Sequence, residues 1–180
     1  MNPLKIIEKY YPNNSKLYSI LVDHSRLVAD KCLSIIKQNP TLELNALFVE
    51  EAAILHDIGV FMTNAPSIEC FGAHPYICHG YLGAAILSKE GFPKHALVAE
   101  RHTGTGISLE EIKQRKLPLP HRDMLPVSLE EQLICFADKF FSKSHPTKEK
   151  TVEEVRSSMR NISETSLKRF DDWYDFFYTA

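Results

Sequence analysis

Residues 54–59 read ILHDIG: an aliphatic run that carries a histidine and an aspartate side by side, His56 and Asp57. Burying an unpaired carboxylate is expensive, and an imidazole without a hydrogen-bond partner is penalised as well. Two things would make such a dyad worth keeping inside a hydrophobic helix: a protein partner such as an arginine, or a metal ion. The residues before it, ELNALFVEEAA, have helical period, and Gly59 reads as the glycine that stops the helix. His56 then shares a face with Phe48, Ala52 and Leu55.

The segments on either side repeat the helical period, and none alternates with period two. SKLYSILVDHSRLVADKCLSIIKQ (residues 15–38) places Leu17, Ile20, Leu21, His24, Leu27 and Val28 on or near one stripe, and Asn39-Pro40 ends it. MTNAPSIECFGAHPY reads as a loop. HGYLGAAILSKEG is a helix stopped by Gly91, and FPKHALVAERHTGTG starts with Pro93 at a first-turn position. Capping boxes announce three more helices at Ser108/Glu111, Ser128/Glu131 and Thr151/Glu154. The proline-rich stretch KLPLPHRDMLPVS must be a loop. The tail SLKRFDDWYDFF is amphipathic and aromatic, as expected of a helix closing over the core or of a homodimer contact. With no repeat, low-complexity tract or linker, the expectation is one all-α domain over residues 1–180, its core at about 18–145 and its last helices, 150–178, packed on it.

Histidines and acids recur on the inward faces of these helices. His24 lies in the first apolar stripe, His79 opens a helix in line with Leu82 and Ile86, and His102 ends one behind Val98 and Ala99. Asp138 aligns with Ile134 and Phe141. A lone histidine on an apolar face is an ordinary core residue, but two buried carboxylates need positive charge. Lys139 departs from its helix about 100° away from Asp138, leaving few basic residues on these stripes. Imidazoles clustered with carboxylates are what first-row divalent cations bind, whereas the four cysteines, Cys32, Cys70, Cys78 and Cys135, lack zinc-site spacing. The intervals from His24 to His56, Asp57 to His79, His79 to His102 and His102 to Asp138 are 32, 22, 23 and 36 residues. Each is one helix and a loop, so the ligands come from five helices around one cavity.

This pattern, H…HD…H…H…D, resembles the HD-domain superfamily of metal-dependent phosphohydrolases over residues 18–145. The two added histidines are similar to its dinuclear branch, which holds the YqeK-type dinucleoside tetraphosphate hydrolases, and phrases such as CHGYLGAAIL, ERHTGTGI and LICFADKF look like those of small uncharacterised HD proteins. The Gly-Tyr-Pro signature of the cyclic-dinucleotide phosphodiesterases is absent. The resemblance implies that His24, His56, Asp57 and Asp138 hold one divalent metal. Asp57 would bridge to a second, held by His79 and His102, and a metal-bridging hydroxide would attack phosphorus. Iron or manganese suits such ligands better than magnesium; nickel, cobalt and zinc are compatible. Lys139 and Arg101 are candidates to reach a substrate phosphate, and His74 a candidate to protonate a leaving group. His95, His121 and His145 are expected at exposed or loop positions.

Bulk composition fits this reading. A charge of 24%, with 21 basic against 23 acidic residues and a formal net charge of −2, is not that of a surface for long nucleic acid. The segment MNPLKIIEKYYPNN lacks a signal-peptide core and no apolar run reaches membrane length, so a cytoplasmic protein with reduced cysteines is expected. The implied substrate is a small phosphorylated molecule, foremost a nucleotide. Two other readings share the ligands: a mixed-valent di-iron oxygenase on the same fold, and a non-catalytic metal-binding regulatory module.

Overall fold

A computed structural model describes residues 1–144 and 148–179, with the side chain of residue 179 left out; His145 lies outside the described residues. The described residues form nine α-helices: α1 (Pro3–Ile7), α2 (Lys16–Gln38), α3 (Ala46–Leu55), α4 (His79–Lys89), α5 (Pro93–Arg101), α6 (Leu109–Gln114), α7 (Leu129–Asp138), α8 (Val152–Ile162) and α9 (Glu164–Thr179). The fold is all-α, as the periodicity predicts. One departure is a small sheet inside the expected loop, made of β1 (Thr63–Ala65), β2 (Cys70–Phe71) and β3 (His74–Pro75) in the order β2-β1-β3. β1 is antiparallel to β2 and parallel to β3. Strands of two or three residues are too short to show a period in sequence.

The long helix α2 is the spine. Leu21, His24, Ser25, Val28, Cys32 and Ile35 form its buried stripe, facing α3 and α7. α4 and α5 make an antiparallel pair, joined where Gly91 adopts the left-handed conformation (φ +87°) that ends α4. α5 also touches α3 and α7, so the C-terminal end of α3, the start of α4, the end of α5 and the end of α7 meet against α2. α9 closes the other side: Phe170 and Phe177 are fully buried, and the Phe170 ring stacks on Phe136 of α7 at 5.2 Å between centroids. The tail therefore serves the core of this chain.

Local chemistry explains where the dyad sits. α3 stops at Leu55; His56 is its C-terminal cap, and Asp57 lies in the turn after it. Gly59 is not there for a left-handed stop, because its φ is −85°. It is there for space: a Cβ at Gly59 would come within 2.3 Å of the His79 carbonyl oxygen and 2.4 Å of the Gly83 nitrogen. The missing side chain lets the turn carrying Asp57 lie on the first turns of α4, which carry His79. Tyr11, buried ahead of α2, pins the same turn by donating its hydroxyl to the Ile58 carbonyl (2.7 Å).

The boxes at Ser108 and Thr151 form as expected, but that at Ser128 is half made. Ser128 accepts from the Glu131 N–H, while the Glu131 carboxylate accepts from Arg101 and from the Val127 N–H. A buried carboxylate gains more from a guanidinium than from closing a cap.

Gly59→Ala is expected to force backbone apart and cost about 1–3 kcal/mol, with weakened metal binding. Gly91→Ala has open space around it and would cost only about 1–2 kcal/mol of backbone strain, with metal binding intact. Denaturant melts paired with metal titration check both.

Candidate metal centre

The six residues singled out by helical period converge. His24, His56, Asp57 and Asp138 form one group and Asp57, His79 and His102 another, with the ligand atoms of each group within 4.8 Å of one another. Ligands held about 2.0–2.2 Å from one ion lie no more than about 4.4 Å apart, so little movement is needed. His24, His56, Asp57, His79 and His102 are almost wholly buried, and Asp138 retains slight exposure.

The two oxygens of Asp57 face different imidazoles. Oδ2 lies 3.2 Å from His24 Nε2 and 3.0 Å from His56 Nε2, while Oδ1 lies 3.3 Å from Nε2 of both His79 and His102. Asp138 Oδ1 closes the first group, 2.9 Å from His24 Nε2 and 3.5 Å from His56 Nε2. Despite this proximity, neither oxygen of Asp57, nor Nε2 of His24 or His56, is satisfied by a hydrogen bond among the described residues, and the one cation beside Asp57 is Lys143 on Oδ2. Polar atoms that converge without pairing are costly unless a cation joins them.

The ring tautomers sharpen the case. His56, His79 and His102 each place Nδ1 on a main-chain carbonyl, at 2.6 Å from Ala53, 2.7 Å from Tyr76 and 2.8 Å from Ala99. A carbonyl can only accept, so each Nδ1 carries a proton, and Nε2 is the nitrogen each ring turns inward, a lone pair wherever the ring is neutral. Nε2 of His79 and Nε2 of His102 then face one another at 3.0 Å, lone pair to lone pair, unless a positive charge lies between them. A proton is a poor candidate. Burial drives the His79 pKa down to about 3, Asp57 opposing and His102 and Lys143 assisting. Burial lowers that of His102 too, although Asp57 draws it up. The residues fit a divalent metal.

The opening alternative, a protein cation, is also met, by lysines instead of an arginine. Lys143 forms an ion pair with Asp57 Oδ2, and Lys139 one with Asp138 Oδ2 at 2.7 Å while donating to the His102 carbonyl at 3.0 Å. The expected divergence of Lys139 from Asp138 is thus corrected: helical angle sets where a Cβ departs, and four methylenes bring the ammonium back. Burial would raise both carboxyls, but His56 and Lys143 hold Asp57 well below the usual range, and Lys139 and His24 do so for Asp138. Burial pushes His56 down, yet Asp57 and Asp138 outweigh it and lift its pKa to about 9.

The remaining candidates separate. Arg101 is committed to Glu131, its Nη1 2.9 Å from Oε2, behind His102. His74 is exposed on β3 and does not line the cleft beside the cluster. His95, expected to be exposed, is buried between Phe48 and Phe92, 3.6 Å from Glu51. Lys143 was missed: it lies beyond the end of α7, where helical period no longer applies, and a second lysine five residues after Asp138 was its only trace. Tyr76, its ring stacked 4.7 Å from that of His79, was missed as well.

Comparison with known proteins agrees with this geometry. The model of the HD domain family matches residues 21–142. The chain belongs to the HD domain family. Among its relatives, an uncharacterised protein of Methanocaldococcus jannaschii is 37% identical over 121 residues, 66% of this chain and 64% of that protein. A tRNA (cytidine(56)-2'-O)-methyltransferase of Picrophilus torridus is 31% identical over 165 residues, 77% of this chain but 44% of that one. The enzyme of the same name from Thermoplasma volcanium is 31% identical over 123 residues, 68% of this chain and 32% of the relative. The chain spans less than two thirds of each of these relatives. No solved structure matches significantly. No described helix of this HD protein is long and apolar enough to cross a membrane.

Metal uptake should release protons. Below pH 9 the raised pKa keeps His56 protonated in the metal-free protein, and a metal must displace that proton. Apparent affinity should therefore fall by up to about tenfold per pH unit from pH 9 towards pH 7. Calorimetry in buffers of different ionisation enthalpy reads the protons released. Asp57→Ala should abolish stable loading of both groups of ligands by elemental analysis.

Proposed function

We propose that the protein is a metal-dependent phosphohydrolase that cleaves a phosphoester or phosphoanhydride of a small molecule, a nucleotide being the foremost candidate. The observation that carries this is the buried Asp57, whose two oxygens each face a separate set of imidazoles. His24, His56 and Asp138 would join one Asp57 oxygen around one divalent ion, and His79 and His102 the other oxygen around a second. Iron or manganese suits these donors best. When bound, such a pair supplies a water of lowered pKa and stabilises charge on a phosphoryl group.

The chain's own residues do the rest. Main-chain carbonyls of Ala53, Tyr76 and Ala99 orient three rings so that each lone pair points inward. Lys139, tied to Asp138 and to the His102 carbonyl, is a positioning residue for both groups. Arg101 holds Glu131 and so braces the end of α5 against the start of α7. A cleft of about 420 Å³ opens at Asp138 and Lys143 and is large enough for a mononucleotide. His74, exposed on β3, would donate a proton only to a substrate that extends over the sheet. Two relatives are named for tRNA, so terminal phosphates of RNA fragments belong with free nucleotides among the substrates to try.

The test is a substrate panel of mono-, di- and triphosphates, dinucleotides and RNA ends, offered to protein loaded with Mn²⁺ or with Fe²⁺ under exclusion of air. Metal-dependent release of phosphate or nucleotide is expected, with His56→Ala and Asp57→Ala each losing on the order of 10³-fold or more in kcat. No turnover of any member, or turnover that survives both substitutions, would sink the reading.

A further inference from the structure

The cleft beside the cluster has an uneven wall. Lys139, Lys143 and Lys150 line one part, whereas Ile68, Tyr76, Phe141 and Met159 line much of the rest. Asp138 is the only acid among the described residues that lines it, with Asp57 directly behind. Three ammonium groups therefore share two carboxylates, and both carboxylates belong to the metal-ligand set. Lys150 forms no ion pair among the described residues, although it is half-buried and its backbone is anchored by an N–H bond to the Phe140 carbonyl (2.8 Å). Burial pushes its pKa down, Asp138 and Glu154 draw it up, and Lys139 and Lys143 oppose them. A half-buried lysine beside two others, without a counter-ion of its own, leaves the cleft short of negative charge. The shortage grows when metal charge draws Asp57 away from Lys143.

We propose that Lys143 and Lys150 form an anion subsite that receives a dianionic, monoester-type phosphate, with Lys143 passing from Asp57 to that phosphate once the ligand cluster is filled. This rests on the phosphohydrolase reading above and narrows it to substrates carrying a terminal phosphate in place of an internal diester. Two ammonium groups match the two charges of a monoester, whereas a diester carries one. The hydroxyls of Ser142 and Ser144, 2.9 Å apart on the same wall, add donors. The apolar side suits the uncharged remainder of the molecule, a base or another flat group that can lie on Tyr76.

Methyl phosphate and dimethyl phosphate serve as probes, titrated calorimetrically at pH 8 into Mn²⁺-loaded protein, with folding checked by circular dichroism. The native chain should bind methyl phosphate about tenfold or more tightly than dimethyl phosphate. Lys143→Gln and Lys150→Gln should each lose about tenfold in methyl phosphate affinity, the worth of one charge-assisted hydrogen bond. Lys143→Arg should restore most of the loss. Lys143→Gln should also bind Mn²⁺ at least as tightly as the native chain, since a competing cation has gone. A lysine that merely supported the ligands would instead lose Mn²⁺ on substitution, and that result overturns the assignment, as does unchanged phosphate affinity in both variants or no binding of methyl phosphate at all. Should Lys143→Gln fail to fold, Lys150→Gln decides alone. Selective phosphate binding that depends on both lysines without turnover of any substrate would refute the hydrolase reading and keep the subsite. Turnover with KM unmoved in both variants would do the reverse.

Discussion

One buried carboxylate organises this molecule. Asp57 sits at the end of α3 with no exposure to solvent, and its oxygens meet four imidazoles, Lys143 and, through the shared histidines, Asp138. A carboxylate in such a place is tolerable only if positive charge surrounds it on every accessible side. That requirement explains why helices distant in sequence bring their ends to one point. It explains too why Gly59 and Gly83 lack side chains, since the turn bearing Asp57 must rest directly on α4.

Most of the helices and all six convergent residues were legible in the chain, for a single reason. A helix converts spacing into direction, so an inward histidine can be recognised from its apolar neighbours three and four residues away. Where the backbone leaves the helix, that conversion stops. His56 and Asp57 were expected mid-helix and lie at its end; the sheet at residues 63–75 is built from strands too short to carry a pattern. Lys143 follows the last turn of α7, in a stretch where no period says which way a side chain faces.

Long side chains also escape the helical rule. Lys139 reaches back to Asp138 and the His102 carbonyl because its stem spans more than the angular step between neighbouring residues. Glu131 leaves its expected cap for Arg101 because a partly buried guanidinium outweighs a backbone N–H. In both cases the local rule was right about the backbone and silent about where the charge would end. Electrostatics settled that at the level of the packed molecule, where dielectric is low and the number of possible partners small.

The ion pairs of Lys139 and Lys143 bear on the order of events in the life of the chain. Because each acidic ligand has an ammonium group of its own, neither buried carboxylate is left uncompensated before any metal is bound. The polypeptide need not wait for a metal in order to collapse, as a zinc finger must. Folding and any uptake of a metal become separable steps, and a chelator would leave such a protein folded.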